Sequence, residues 1–226
     1  MVDEKEVTRF IDLSHPIEDG MITYPGLPGP VIRAHLSRED SREHYAPGTE
    51  FHIGKIEMVA NTGTYIDSPF HRFEGRNDLA DLPLSSLAEL DGVVVRIPPG
   101  HGRNIGAPFF ENRDLRGKAV LVHTGWSAHW RSEQYFEGHS YLTRDAVQRL
   151  IASNAALVGI DSLNIDDTAD GERPAHTSLL ERGIPIVEHL TNLEMLPEQG
   201  FKFFAVPPKV KGMGSFPVRA FGIIHR

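Results

Sequence analysis

Three features of the sequence predict an α/β fold. Short β-branched runs bounded by turn residues occupy the middle of the chain, a helix–strand unit occurs twice in succession after residue 143, and 226 residues with 40% hydrophobic content can build one sizeable core. The expected organisation is a single domain over residues 1–226, opened by an irregular arm at about 1–50. No low-complexity tract or repeat of 20–50 residues is visible.

In chain order, residues 10–50 are rich in Pro, Gly and charge, with His15-Pro16 and Tyr24-Pro25-Gly26 marking turns. Phe51 to Ala60 alternates loosely and reads as a strand, whereas Asn61 to His71, punctuated by Gly63 and Pro69, reads as a loop. Gly92 to Ile97 and Ala119 to His123 read as buried strands of one sheet. Thr143 is placed to cap a helix whose Val147, Leu150 and Ile151 share one face, and Asn154 closes it before a strand at Ala156 to Ile160. Pro174 opens a second, short helix through Leu180, Gly183 ends it, and Ile184 to Val187 is the next strand. Phe201 to Ile224 is apolar but broken by Pro207, Pro208, Gly212, Gly214 and Pro217, which predicts two strands joined by a loop.

Composition removes several function classes. A formal net charge of −8 and the lack of a basic run argue against a nucleic-acid partner, because phosphate binding draws on clustered Lys and Arg. With no Cys, disulfides, thiolate zinc sites and a Cys nucleophile are excluded, so any metal must use His, carboxylate or other oxygen ligands. The acidic opening MVDEKEVTRF does not read as a signal peptide and no apolar run reaches membrane-spanning length, so the expected compartment is the cytoplasm, with no membrane partner. A serine hydrolase is disfavoured by the lack of a G-x-S-x-G elbow, and Gly100-His101-Gly102 lacks the pattern of a phosphate-binding loop.

The residues that carry chemistry begin at Asn61-Thr-Gly-Thr-Tyr65-Ile-Asp67-Ser-Pro-Phe-His71. A tight turn at Gly63 and at the Asp-x-Pro step would bring the Asp67 carboxylate and the His71 imidazole to one site, although the same residues also suit an Asx-type turn with a surface histidine. Farther on, His176 at the start of the short helix and Glu188 at the end of the next strand lie at adjacent ends of consecutive elements. They could complete an oxygen and nitrogen ligand set for Zn²⁺ or Mn²⁺, or could simply cap, pack and pair with a cation. His123, His129 and His139 near Trp126 and Trp130, and the aromatic residues Phe70, Phe73 and Trp126, are further candidates for a pocket wall, with ordinary core or surface packing as the alternative.

The stretch resembles the fingerprint H-x-G-T-H-x-D-x-P-x-H of the cyclase family, which includes bacterial kynurenine formamidases and isatin hydrolases. Gly63, Thr64, Asp67, Pro69 and His71 match it, whereas Asn61 and Tyr65 stand at the first two histidine positions. The resemblance runs over nearly the whole chain, through Leu13 to Ile17, Tyr24 to Gly26, Thr124 to Trp126, Val158 to Asp161, Pro174 to His176, Glu188 to Leu193 and Pro217 to Ala220.

The resemblance implies a swivelling β/β/α fold, with a mixed sheet and barrel-like core, and a homodimer or homotetramer. It implies Asp67, His176 and Glu188 as metal ligands and His71 as acid/base. Neutral Asn61 and Tyr65 are poorer zinc donors than imidazole, so the expected arrangement is one Zn or Mn per chain, with Asn61 and Tyr65 as catalytic hydrogen-bond donors to substrate or oxyanion. The expected activity is metal-dependent hydrolysis of an amide, formamide, cyclic imide, lactone or ester bond in a small, aromatic-type substrate. A noncatalytic small-molecule-binding descendant and a metal-dependent lyase or dehydratase are the alternatives. His15 falls in a segment shared with the family, its role open.

Overall fold

The β-branched runs that dominate the middle of the sequence form the parallel centre of one nine-stranded sheet. The computed structural model describes residues 8–225, so residues 1–7, with most of the acidic opening and the start of the expected arm, lie outside the described residues. The first half contains β1 (Thr8–Asp12), β2 (Val31–Leu36), the short α1 (Arg38–Ser41), β3 (Ile53–Glu57), β4 (Tyr65–Asp67), β5 (Leu90–Arg96), β6 (Asn104–Ile105) and β7 (Ala119–His123). The second half contains β8 (Tyr141–Leu142), α2 (Arg144–Ala152), β9 (Leu157–Ile160), α3 (Pro174–Glu181), β10 (Ile186–Glu188), β11 (Lys202–Phe204), β12 (Ser215–Pro217) and β13 (Phe221–His225).

The sheet order is β1-β13-β11-β5-β7-β9-β10-β4-β12. β5, β7, β9 and β10 run parallel, and antiparallel strands extend the sheet at both ends, giving the curled, mixed half-barrel of the expected fold. Both faces of the parallel centre are covered, which is why these strands read as unbroken apolar runs rather than alternating ones. Val93, Val95, Val120, Val122, Val158 and Ile160 pack on one side with Val147 and Leu150 of α2 and Leu179 and Leu180 of α3. Val94, Leu121 and Leu157 point to the other side, against Ile11, Leu13, Leu190 and Phe203. Period-2 side-chain alternation thus feeds two cores from one set of strands.

The helix ends follow their local chemistry. Asn154 and Gly183 both adopt positive φ just past α2 and α3, at 53° and 74°. Thr143 does sit at the N-cap of α2, but its hydroxyl bonds the Ile105 carbonyl at 3.1 Å and the Asp145 side chain rather than capping the helix backbone.

Three expectations need correction. The arm is not wholly irregular: β1 joins the main sheet, while β2 and β3 pair as a separate hairpin whose residues are nearly all exposed, so no buried face imposed a clear pattern on them. The supposed loop at Asn61 to His71 contains β4, three buried residues between Gly and Pro turn signals that mask it. The closing segment holds three strands, β11, β12 and β13, where two were expected, because Ser215–Pro217 pairs with β4 despite its proline. Among the described residues, no helix is long and apolar enough to cross a membrane.

Candidate metal centre

The site lies where the parallel strands β9 and β10 end and antiparallel β4 returns past them, a position at which open α/β sheets commonly bind ligands. Gly63 makes the turn into β4 with φ of +64°, and a Cβ there would stand 3.2 Å from Ile17. The next residue, Thr64, fastens the turn by donating to the His189 carbonyl at 2.6 Å and accepting from the His15 amide at 3.0 Å. Register then pairs Tyr65 with Glu188 of β10 and Asp67 with Ser215 of β12.

Asp67 is fully buried. Its Oδ1 accepts from the Ser215 hydroxyl and lies 3.8 Å from His71 Nδ1. Its Oδ2 is buried without a hydrogen-bond partner and faces His176 Nε2 at 3.6 Å. Ser215 also meets His71 Nδ1 at 2.8 Å. This close approach depends on Gly214, whose hypothetical Cβ would fall 2.5 Å from the His71 Cα.

His176 stands in the first turn of α3. Asp166, in the loop after β9, accepts from the amides of Ala175 and His176 at 2.6 and 3.0 Å and from His176 Nδ1 at 2.7 Å. That bond places the ring hydrogen on Nδ1 and leaves Nε2 turned toward Asp67 and Glu188. Burial disfavours the charged imidazole, but Glu188, Asp166 and Asp67 outweigh it and push His176 up to about 10. Asp166 is also opposed by burial, yet its bonds and charge pairing with His176 hold it below the ordinary carboxylate range.

Glu188 is enclosed by donors. Its Oε1 accepts from the Ile165 amide at 2.7 Å and lies 3.8 Å from His176 Nε2. Its Oε2 accepts from the Tyr65 hydroxyl at 2.5 Å, with Tyr24 at 3.3 Å and Asn164 at 3.4 Å behind it. Burial raises the Glu188 carboxyl, and burial with the nearby Glu188 charge raises both the Tyr24 and Tyr65 phenols.

The expected residues therefore meet in one place. Asp67, His71 and His176 offer ligand atoms all within 4.8 Å of one another, and Glu188 flanks His176. Asn61 and Tyr65 line a cavity of about 290 Å³ together with Tyr24, His71, Asn164 and His176. The suggested aromatic wall does not form here: Phe70, Phe73 and Trp126 are not among the lining residues, and neither are His123, His129 and His139. Trp126 and His129 line a different cavity beside Gly100–Gly102, and His139 bonds the Asp166 carbonyl at 3.1 Å.

Sequence reasoning missed Ser215, Asp166, Asn164 and the site role of Tyr24. Asp166 and Asn164 carried one usable signal, a polar loop directly after a buried strand.

A cation suits this donor set. Three buried carboxylates, Asp67, Asp166 and Glu188, surround a single buried imidazole, and one carboxylate oxygen has no donor at all. Positive charge at that point would relieve both the orphaned oxygen and the excess of buried acid.

The Cyclase family model matches residues 11–167. A kynurenine formamidase from Bacillus cereus is 27% identical over 216 residues, which cover 95% of this chain and 97% of that protein. A predicted metal-dependent hydrolase from Bacillus stearothermophilus shares 25% identity with a TM-score of 0.76, over 96% of this chain and 98% of that one. Isatin hydrolase A from Labrenzia aggregata, solved with benzyl benzoate, has the same fold at a TM-score of 0.83 and 20% identity, over 96% of this chain and 94% of that one. With the family model spanning most of its length and hydrolases among its relatives, the chain belongs to the cyclase family.

Proposed function

We propose that this protein is a metal-dependent hydrolase of a carbon–nitrogen bond in a small molecule, an amide, formamide or cyclic imide, with lactones and esters as related substrates. The observation that carries this reading is the unpartnered, buried Asp67 Oδ2 facing His176 Nε2 at the cavity that His71 also lines.

In this reading Asp67, His176 and Glu188 hold one divalent ion, zinc or manganese. The ion supplies Lewis acidity to a carbonyl and acidifies water. The chain's own residues do the rest. Ser215 has one hydroxyl hydrogen and gives it to Asp67, so it can only accept from His71, which puts that ring's hydrogen on Nδ1. The His71 Nε2 lone pair is then free to take a proton from the attacking water and return it to the leaving nitrogen. Because Nδ1, the His71 nitrogen beside Asp67, is bound to Ser215, His71 fits proton transfer better than ligation.

Asn61 supplies a neutral N–H donor on the cavity wall for the substrate carbonyl oxygen. Tyr65 has its hydrogen committed to Glu188, so its role here is to fix that carboxylate rather than to donate to substrate.

The test is metal content of protein purified without chelators, compared with Asp67→Ala and His176→Ala, alongside hydrolysis of a formamide, a cyclic imide and a lactone. One metal per chain, lost in both variants together with turnover, is the expected result. Absence of metal and turnover even after Zn²⁺ or Mn²⁺ addition would leave a binding protein instead.

A further inference from the structure

We propose that the substrate carries a carboxylate, and that Arg72 and Arg173 are the residues that select it. The inference rests on the hydrolase reading for its location but on separate side chains for its chemistry.

Both arginines line the cavity that holds His71 and His176. Arg72 follows His71 directly at the end of the Pro69–His71 turn, and Arg173 is the residue before α3. The same two elements that present the imidazoles therefore present a guanidinium each, on the same cavity.

Neither guanidinium meets a carboxylate among the described residues. Arg72 Nε donates to the Thr177 hydroxyl at 3.3 Å, and its guanidinium lies 5.2 Å over the Phe73 ring. Arg173 Nη1 reaches only the neutral oxygens Asn164 Oδ1 at 3.3 Å and the Asp167 carbonyl at 3.5 Å. Arg103, Arg113, Arg131, Arg144 and Arg219 each pair with an Asp or Glu, whereas Arg96 and Arg149, away from this cavity, bond neutral partners as Arg72 and Arg173 do.

Two guanidinium groups without acidic partners among the described residues therefore stand at one cavity, a local excess of positive charge in a chain of net charge −8. The excess has a use. Asp67, Asp166 and Glu188 are buried at this site and would repel an anionic ligand, so guanidinium groups on the cavity wall add to the proposed metal ion in offsetting them. Guanidinium groups suit a carboxylate, whose two oxygens accept paired N–H donors. The cavity, about 290 Å³ and open to solvent, has room for a ligand of about one ring with short substituents.

The probes are anthranilate and its neutral isostere anthranilamide, titrated calorimetrically into the protein as purified, together with turnover of the N-formyl derivative of each. Wild type should bind anthranilate at least about tenfold more tightly than anthranilamide, and Arg72→Gln and Arg173→Gln should each reduce that ratio by about tenfold or abolish it. Arg72 is exposed, so its substitution keeps the test decisive even if Arg173→Gln perturbs the Asn164 loop. Equal binding of the two probes, no binding of either, or a preference that survives both substitutions would overturn the assignment. If the binding preference behaves as expected while neither these formamides nor the cyclic imide and lactone above are turned over, the hydrolase reading fails and the anion selectivity stands.

Discussion

His176 and His189 are both buried at the same end of the sheet, yet their surroundings push the two imidazoles in opposite directions. His176 is ringed by Glu188, Asp166 and Asp67, and although burial works against it, the carboxylates raise it to about 10. His189 is ringed by Tyr24, Tyr65, Trp130 and Tyr135, bonds the Tyr135 hydroxyl through Nδ1 at 2.8 Å, and is forced well below its ordinary value by burial. His15 belongs to the same aromatic group, stacked on Trp130 at 4.1 Å, and burial lowers it to about 4. Burial does not decide what a histidine does here; what replaces the lost water does. Carboxylates make an imidazole that can exchange its proton for a metal, and aromatic rings make one that serves as neutral packing.

The contrast is most severely tested on the acidic side. His71→Ala should retain bound metal while turnover falls by about 10²–10⁴, measured by elemental analysis and initial rates on one preparation. Retained turnover would remove His71 from the chemistry.

A smaller loss is expected when His71 is kept and the tether of His176 is weakened. Asp166→Asn leaves a similar shape but removes the carboxylate that fixes Nδ1–H, and should cost about 10- to 100-fold in metal affinity, read by competition with a chelator. A shift under twofold would mean that the α3 backbone alone orients the ring.

The mildest effect belongs to the aromatic side. His15 titrates near 4 when folded against an ordinary 6.5, so as pH falls below about 6.5 the unfolded chain takes up the proton first. Its contribution is fully present above 6.5 and is lost as pH drops toward 4. His15→Phe, which keeps a ring against Trp130, should flatten that part of the melting-temperature profile and change turnover at pH 8 by less than about twofold. An unchanged slope would show that His15 is already charged in the folded protein.

Much of this contrast could be read in the sequence on the acidic side and little on the aromatic one. Asp67 and His71 share a short segment whose Gly63 and Pro69 advertise a turn, and His176 and Glu188 fall at the ends of elements whose capping signals are plain. The central strands β5, β7 and β9 were legible because burial on both faces leaves continuous β-branched runs. Ser215 was not legible: its partner lies across a β4–β12 pairing between segments 148 residues apart, and no local pattern records such a contact. Tyr24 and His15 sit in a Pro-rich arm that reads as irregular, because they are placed by Thr64, Asn164 and Trp130 rather than by any repeat in their own segment. The β2–β3 hairpin was half hidden for a simpler reason, since exposed strands have no buried face to impose alternation.

The pairing of β12 with β4 also makes the candidate site depend on segments far apart in the sequence. Asp67, His71, His176 and Glu188 all precede β11, but the hydroxyl that fixes the His71 tautomer comes from Ser215, 144 residues beyond His71 along the chain. Closing so long a loop is among the slower steps open to a folding chain. Fixing the His71 ring therefore waits on one long-range pairing, as does the second face of the core, which takes Phe203, Val218 and Ile224 from the same closing segment.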